Sequence, residues 1–145
     1  VNEALAELDE VDGVMCGNDA IAGYAIKALS EKQMAGKVVV TGQDADLEAC
    51  QRIVEGTQAM TVYKPIERLA KVAAKCAVKL AKGEQIVGKD IGENSVKTTD
   101  NGKEVPYWGL PPIAVTKENM DSVIIDLGFH LHDEVYLNVS EESQD

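Results

Sequence analysis

Lys37-Val38-Val39-Val40-Thr41-Gly42-Gln43-Asp44-Ala45-Asp46 decides how the chain is read. Its first five residues are β-branched apart from the lysine, a nearly unbroken run that suits a strand buried on both faces, as parallel strands are. The run stops at a glycine and a polar turn. Beyond it, Leu47, Cys50, Ile53 and Val54 recur at the three-and-four spacing of a helix, with Asp46 placed to be its N-cap. A strand therefore feeds a helix through a short polar turn.

The same unit lies on either side. Upstream, the apolar run from Val11 to Cys16 ends at Gly17-Asn18-Asp19, and a helix is predicted to about residue 33 with Ala22, Ala25, Ile26 and Leu29 inward. Residues 2–10 read as the end of an earlier helix, with Ala4, Leu5 and Leu8 on one face. Downstream, Ala59-Met60-Thr61-Val62-Tyr63 is a third strand, and Lys64-Pro65 opens the longest helix, which runs to about residue 82. Pro65 suits the first helical position, Gly83 is a stop signal, and Ile66, Leu69, Ala70, Ala73, Cys76, Ala77 and Leu80 form the expected buried stripe. Three strand–helix units in residues 11–82 predict the α/β class: an open, mostly parallel sheet with right-handed crossovers.

After Gly83 the texture changes. Residues 84–104 carry the breakers Gly88, Gly92, Asn94 and Asn101-Gly102 and read as loop with at most one hairpin. Residues 105–115 contain Pro106, Pro111 and Pro112, which predicts an extended segment, an edge strand or a crossing to another lobe. A short helix and a strand are expected within 118–127, and an acidic polar end over 140–145.

Composition narrows the function classes. Of 145 residues, 45% are hydrophobic, mostly Ala, Val, Ile and Leu, which is enough for one ordinary core. Lys plus Arg number 14 against 25 Asp plus Glu, a net charge of −11. Such a surface repels phosphate backbones, and no basic run interrupts it, so nucleic acid is not an expected partner. No stretch approaches the 18 consecutive apolar residues of a membrane span. The three cysteines, Cys16, Cys50 and Cys76, are never in a CxxC and fall at core positions of the periodic pattern, so three buried free thiols are expected.

In open α/β sheets ligands bind just beyond the carboxyl ends of the strands. That rule nominates Gly17-Asn18-Asp19, Gly42-Gln43-Asp44 and Tyr63-Lys64, all at one edge because parallel strands end together. Asn18 offers an acceptor and two donors, an ionised Asp44 only accepts, and Lys64 only donates. The set complements a ligand rich in hydroxyls, each of which both gives and takes a hydrogen bond. The alternative is that Asn and Asp at helix starts are caps, and that Lys64 is a solvated lysine ahead of a helix. The turns lack GxGxxG and GxxxxGK[ST], and the one at 42–46 carries two carboxylates where an anion would sit, which disfavours a nucleotide. No GxSxG elbow is present, and His130 and His132 lie far along the chain from these turns. With Asp133 and Glu134 they make a loose HxHDE cluster that reads as structural or solvent-facing rather than as zinc ligands. The reading is a binder with no catalytic residue, no metal and no cofactor.

Three stretches carry a resemblance: Asp12 through Ala20, Val40-Thr41-Gly42-Gln43-Asp44-Ala45-Asp46, and Thr57 through Pro65. They resemble the periplasmic sugar-binding proteins of the ribose/galactose type, the solute-binding components of ABC transporters. Within that family the Gly-Gln-Asp-Ala-Asp and Met-Thr-Val-Tyr-Lys-Pro stretches are most similar to the xylose-binding members. The likeness runs from about residue 1 to His130.

The resemblance implies two Rossmann-like lobes closing on a sugar, D-xylose or a similar pentose, with Asn18, Asp44 and Lys64 as this lobe's contacts. It further implies residues 1–104 as a partial C-terminal lobe, 105–130 as hinge crossings and the returning segment, 131–145 as an acidic tail, and an N-terminal lobe of the same protein. An extracytoplasmic location and an ABC permease partner follow, or alternatively a membrane sensor kinase to which a xylose-sensing protein signals. The sugar-responsive transcription regulators share the fold but need a basic helix-turn-helix segment that these residues lack. Residues 105–110 depart from the family's form, and the segment after His130 is longer than the family leads one to expect. Trp108 is read as a hinge or surface aromatic rather than a platform for sugar.

Overall fold

A computed structural model describes residues 1–8, 10–87, 96–107 and 109–139. The elements in chain order are α1 (Asn2–Glu7), β1 (Gly13–Met15), α2 (Asp19–Glu31), β2 (Val39–Thr41), α3 (Leu47–Glu55), β3 (Thr61–Tyr63), α4 (Ile66–Ala81), β4 (Val96–Thr98), β5 (Glu104–Pro106) and β6 (Ile113–Val115). A 3₁₀ turn (Lys117–Asn119), a π-helical turn (Asp121–Ile125) and α5 (His132–Val135) follow. Trp108 and the breakers Gly88, Gly92 and Asn94 lie outside the described residues, as do residues 140–145. Contacts divide the chain into two units: residues 1–63 with 113–145, and residues 64–112.

The first unit holds the sheet. β1 pairs parallel with β2, Val14 opposite Val40, and a single parallel bridge from Thr41 to Met60 brings β3 alongside. The Ala59 N–H donates to the Val40 carbonyl at 2.9 Å and the Gly42 N–H to the Met60 carbonyl at 3.0 Å. β6 closes the other side of β3 antiparallel, with Tyr63 opposite Ile113 and Thr61 opposite Val115. The strand order is thus β1-β2-β3-β6, three parallel strands and one antiparallel edge, a common way of finishing such a sheet. The strand–helix rhythm read over residues 11–63 is present, and so is the α/β class.

Two buried clusters stabilise this unit. Ala22, Ala25, Ile26 and Leu29 of α2 pack with Cys16, Val38 and Val40. Cys50, Ile53 and Val54 of α3 pack with Tyr63, Val115, Met120, Ile124 and Val135. The second cluster explains the π-helical turn, which carries Ile124 inward while Tyr136 donates its hydroxyl to Asp121 at 2.9 Å. Burial and that bond push the Tyr136 phenol up to about 12. Residues 131–139, which the resemblance implied to be part of an acidic tail, hold α5, whose Val135 is fully buried and whose Glu134 carbonyl accepts from Gln51 at 2.9 Å. Likewise β6, Met120 and Ile124, within the stretch expected to make crossings, belong to this sheet and its core.

Three local expectations are corrected. β2 is not a continuous buried run: Val38 and Val40 are buried while Val39 is exposed, since successive strand residues point to opposite faces. Residues 118–127 hold no strand, because the backbone there curls to place Met120 and Ile124 in the core. In the second unit α4 has the predicted span, but none of its residues is buried and Cys76 is only half-buried, so two of the three thiols, not three, are interior. Among the described residues of that unit β4 also pairs with β5 as a hairpin, Lys97 opposite Val105, turned through Asn101-Gly102.

Candidate functional site

The carboxyl ends of β1 and β2 meet in two interlocked turns. The Cys16 N–H donates to the Thr41 carbonyl at 3.1 Å and the Asp19 N–H to the Gln43 carbonyl at 2.8 Å, while Gln43 Nε2 donates to the Gly17 carbonyl at 3.4 Å. The turns bearing Asn18 and Asp44 are therefore held together. Lys64 is the residue after β3 and the first of the second unit.

Asn18 occupies the N-cap of α2, and its Oδ1 accepts the Ile21 N–H at 2.9 Å. The cap reading is correct for this oxygen; no hydrogen bond from its Nδ2 is found among the described residues. Asp46 stands at the N-cap position of α3, but its side chain makes no capping bond there. Asp44 has φ of 108° and Ala45 has φ of 57°, two successive non-glycine residues on the left-handed side. A conformation of this kind costs roughly 1–3 kcal/mol per residue and persists where surrounding bonds over-determine it. Here they do. The Asp44 N–H donates to the Val62 carbonyl at 3.0 Å, the Ala45 N–H to Thr61 Oγ1 at 3.1 Å, and the Ala45 carbonyl meets His130 Nε2 at 2.8 Å.

Asp19 is the residue that sequence reasoning passed over. It is 1% exposed, and both of its carboxylate oxygens accept hydrogen bonds. Oδ1 accepts from Gln58 Nε2 at 2.9 Å, and Oδ2 accepts from Thr61 Oγ1 at 2.7 Å and from the Asp46 N–H at 3.0 Å. Arg52 closes the network, donating from Nη2 to the Asp19 carbonyl and from Nε to Gln58 Oε1, both at 3.0 Å. The signal for it was available in Gln58, just ahead of β3, and in Thr61, its first residue, polar positions in an otherwise apolar stretch. Gly42 is required by the same network: a Cβ there would lie 2.0 Å from Asp19 Oδ1.

The field at these strand ends is negative. Burial, reinforced by Asp19, Asp44 and Glu48 and partly offset by Arg52, raises the Asp46 carboxyl above its ordinary value. Burial, with Asp19 and Asp46 adding to it, pushes the Cys50 thiol up to about 12. Burial first and Asp19 second also raise Cys16. Such a field repels phosphate and favours a neutral ligand presenting hydroxyl donors. An open depression of about 490 Å³ at the strand ends is lined by Met15, Cys16, Gly17, Thr41, Gly42, Gln43, Met60 and Val62. Neither Asn18 nor Asp44 lines it, although both turns contribute to its wall. The histidines are used otherwise: His130 bonds Ala45, and His132 stacks on the Tyr136 ring at 4.6 Å. Among the described residues no group of three His, Cys, Asp or Glu side chains is placed to hold a metal.

An open α/β sheet with polar turns at the carboxyl ends of its parallel strands defines the class of small-ligand binding lobes. More narrowly, the chain belongs to the periplasmic binding protein domain family, whose model matches residues 1–85. It is 47% identical over 135 residues to the D-xylose-binding periplasmic protein of Haemophilus influenzae, covering 93% of this chain and 39% of that protein. To the D-xylose-binding periplasmic protein of Escherichia coli it is 44% identical, covering 92% and 39%. The crystal structure of a carbohydrate transporter solute binding protein from Chloroflexus aurantiacus, in complex with D-glucose, superposes with a TM-score of 0.75 at 29% identity. That match covers 92% of this chain and 38% of the other. The chain thus spans about two fifths of the length of the curated relatives it matches. The family resemblance read in the sequence is borne out.

Proposed function

We propose that this chain supplies one side of a clamp that captures a neutral pentopyranose, D-xylose ahead of ribose, glucose or galactose, and delivers it to an ABC permease outside the cytoplasmic membrane. The observation that carries the reading is the over-determined turn at 42–46, which holds Asp44 at φ 108° beside the turn of Asn18 at the sheet edge where open α/β sheets bind ligands. Backbone strain stabilised by so many bonds is characteristic of ligand clamps. Asp44 accepts from adjacent sugar hydroxyls, Asn18 donates through Nδ2, and Lys64 donates to a ring or hydroxyl oxygen. Charge-assisted bonds of this type contribute roughly 1.5–3 kcal/mol each. The xylose-binding names of the two relatives support the choice of sugar.

In this reading a further lobe encloses the sugar from the other side, and residues 105–112 are the segment passing toward it. The greater length of the relatives supports that division. Calorimetric titration of the protein with xylose, ribose, glucose and galactose tests the proposal. Tightest binding is expected for xylose; a hexose bound more tightly, or no pentose binding, overturns it.

A further inference from the structure

The buried carboxylate of Asp19 has no role in the proposed sugar contacts, yet it is the point through which both strand-end turns are fixed. Its three partners are all donors: Gln58 Nε2, Thr61 Oγ1 and the Asp46 N–H. The last two tie it to the turn at 44–46. Asp46 N–H is held by Asp19 directly, and Ala45 N–H is held by the Thr61 oxygen whose own proton points at Asp19. These bonds fix the two residues that follow Asp44, one of them at φ 57°. An L residue at φ 108° has no local preference for staying there. Asp44 is held by its own N–H on the Val62 carbonyl at 3.0 Å, and the bonds to residues 45 and 46 fix the backbone that follows it. We infer that Asp19 is a positioning residue for ligand capture, acting through Asp44 by holding the turn at 44–46, whose first two residues have positive φ.

The charge state of the group is part of the mechanism. An ionised carboxylate only accepts, whereas an amide in its place turns one oxygen into a donor. Asp19→Asn would set N–H against N–H or O–H on one side of the network, whichever way the amide is turned. The turn then loses at least one of the bonds that hold it.

The inference rests on the sugar-binding reading above, and two measurements on the protein separate their failures. The first is a double-mutant cycle on xylose affinity with Asp19→Asn, Asp44→Ala and the double variant. Asp19→Asn is expected to weaken binding about tenfold alone and by less than about twofold when Asp44 is already alanine. A parent-like dissociation constant for Asp19→Asn, or effects that simply multiply, overturns the positioning role while leaving the sugar reading intact. A parent that binds none of the sugars defeats the sugar reading and this inference together. The second measurement needs no ligand: hydrogen–deuterium exchange across residues 43–50, with residues 113–124 as reference. Asp19→Asn should accelerate exchange more in the first segment than in the second; equal acceleration in both marks Asp19 as structural only. If Asp19→Asn does not fold, Thr61→Val removes the bridge to Ala45 while keeping a similar volume, and the same outcomes apply.

Discussion

Adding one methyl group at Gly42 should destabilise this protein more than almost any other glycine substitution in the chain. The Cβ of Gly42→Ala would sit 2.0 Å from Asp19 Oδ1, 2.8 Å from Gln58 Nε2 and 3.1 Å from Asp19 Cγ. Ordinary carbon–oxygen contact lies beyond about 3 Å, so the carboxylate must retreat by about 1 Å. That retreat is resisted by three hydrogen bonds to a group that is 1% exposed. Overpacking of this kind costs about 1–3 kcal/mol, and each buried donor left without its acceptor adds about 1–3 kcal/mol. A loss of about 2–5 kcal/mol follows, large against the total stability of a small domain. Urea unfolding followed by far-UV circular dichroism measures it as a fall in midpoint of about 1 M or more with the slope unchanged. Gly17→Ala is the control, because nothing lies within 4 Å of its Cβ, and it should stay within about 0.5 kcal/mol of the parent. A Gly42→Ala midpoint indistinguishable from that control would refute the close-approach argument.

Asp44→Ala should weaken sugar binding by about 2–5 kcal/mol and more than Asn18→Ala does. Asn18→Ala should in addition lower stability by about 1 kcal/mol, because it removes the bond to the Ile21 N–H; comparing calorimetry with unfolding for both variants checks the split. The Cys50 thiol is raised to about 12, so it stays protonated in the folded chain where an unfolded thiol ionises near pH 8.5. Its contribution is fully present below that pH and is lost as pH rises toward 12. Unfolding midpoints from pH 8 to 10 should therefore decline with a slope that Cys50→Ala reduces, and iodoacetamide at pH 8.5 should label Cys76 well before Cys50. His130→Ala should lower stability by about 1–2 kcal/mol through loss of the bond to the Ala45 carbonyl and of the Phe129 ring contact, and His130→Gln should recover part of it in the same unfolding assay.

The strands and the helices that follow them were legible because their signals are local. The Val38-Val39-Val40 run and the spacing of Leu47, Cys50, Ile53 and Val54 need no knowledge of the rest of the chain. The rule that ligands sit at strand ends pointed to Asn18 and Asp44 from topology alone. What escaped was non-local. Asp19 looked like a cap beside Asn18, and only its meeting with Thr61 and Gln58, 42 and 39 residues away, makes it the centre of a network. Residues 118–127 gave a pattern compatible with a strand because Val123, Ile124 and Ile125 are β-branched or apolar, whereas packing of Ile124 against α3 and β6 selected a helical turn. The exposure of Val39 and of α4 was invisible for the opposite reason: a hydrophobic pattern states which residues seek cover, not what is present to provide it.

The antiparallel pairing of β6 has a consequence for how this chain tolerates change in length. Tyr63, where β3 leaves the sheet, is directly opposite Ile113, where the chain re-enters it. The two ends of residues 64–112 are therefore pinned about 5 Å apart by the ladder itself. In topological terms the segment is an insertion with a closed mouth, and the sheet fixes its entrance and exit whatever lies between. Doubling the length of such an excursion adds only about 0.6 kcal/mol of closure entropy. Sequence added or removed beyond β3 should thus leave the register of β1, β2, β3 and β6 intact, while a slip of one residue at the Tyr63–Ile113 pair would turn Val115 out of the core and Ala114 into it.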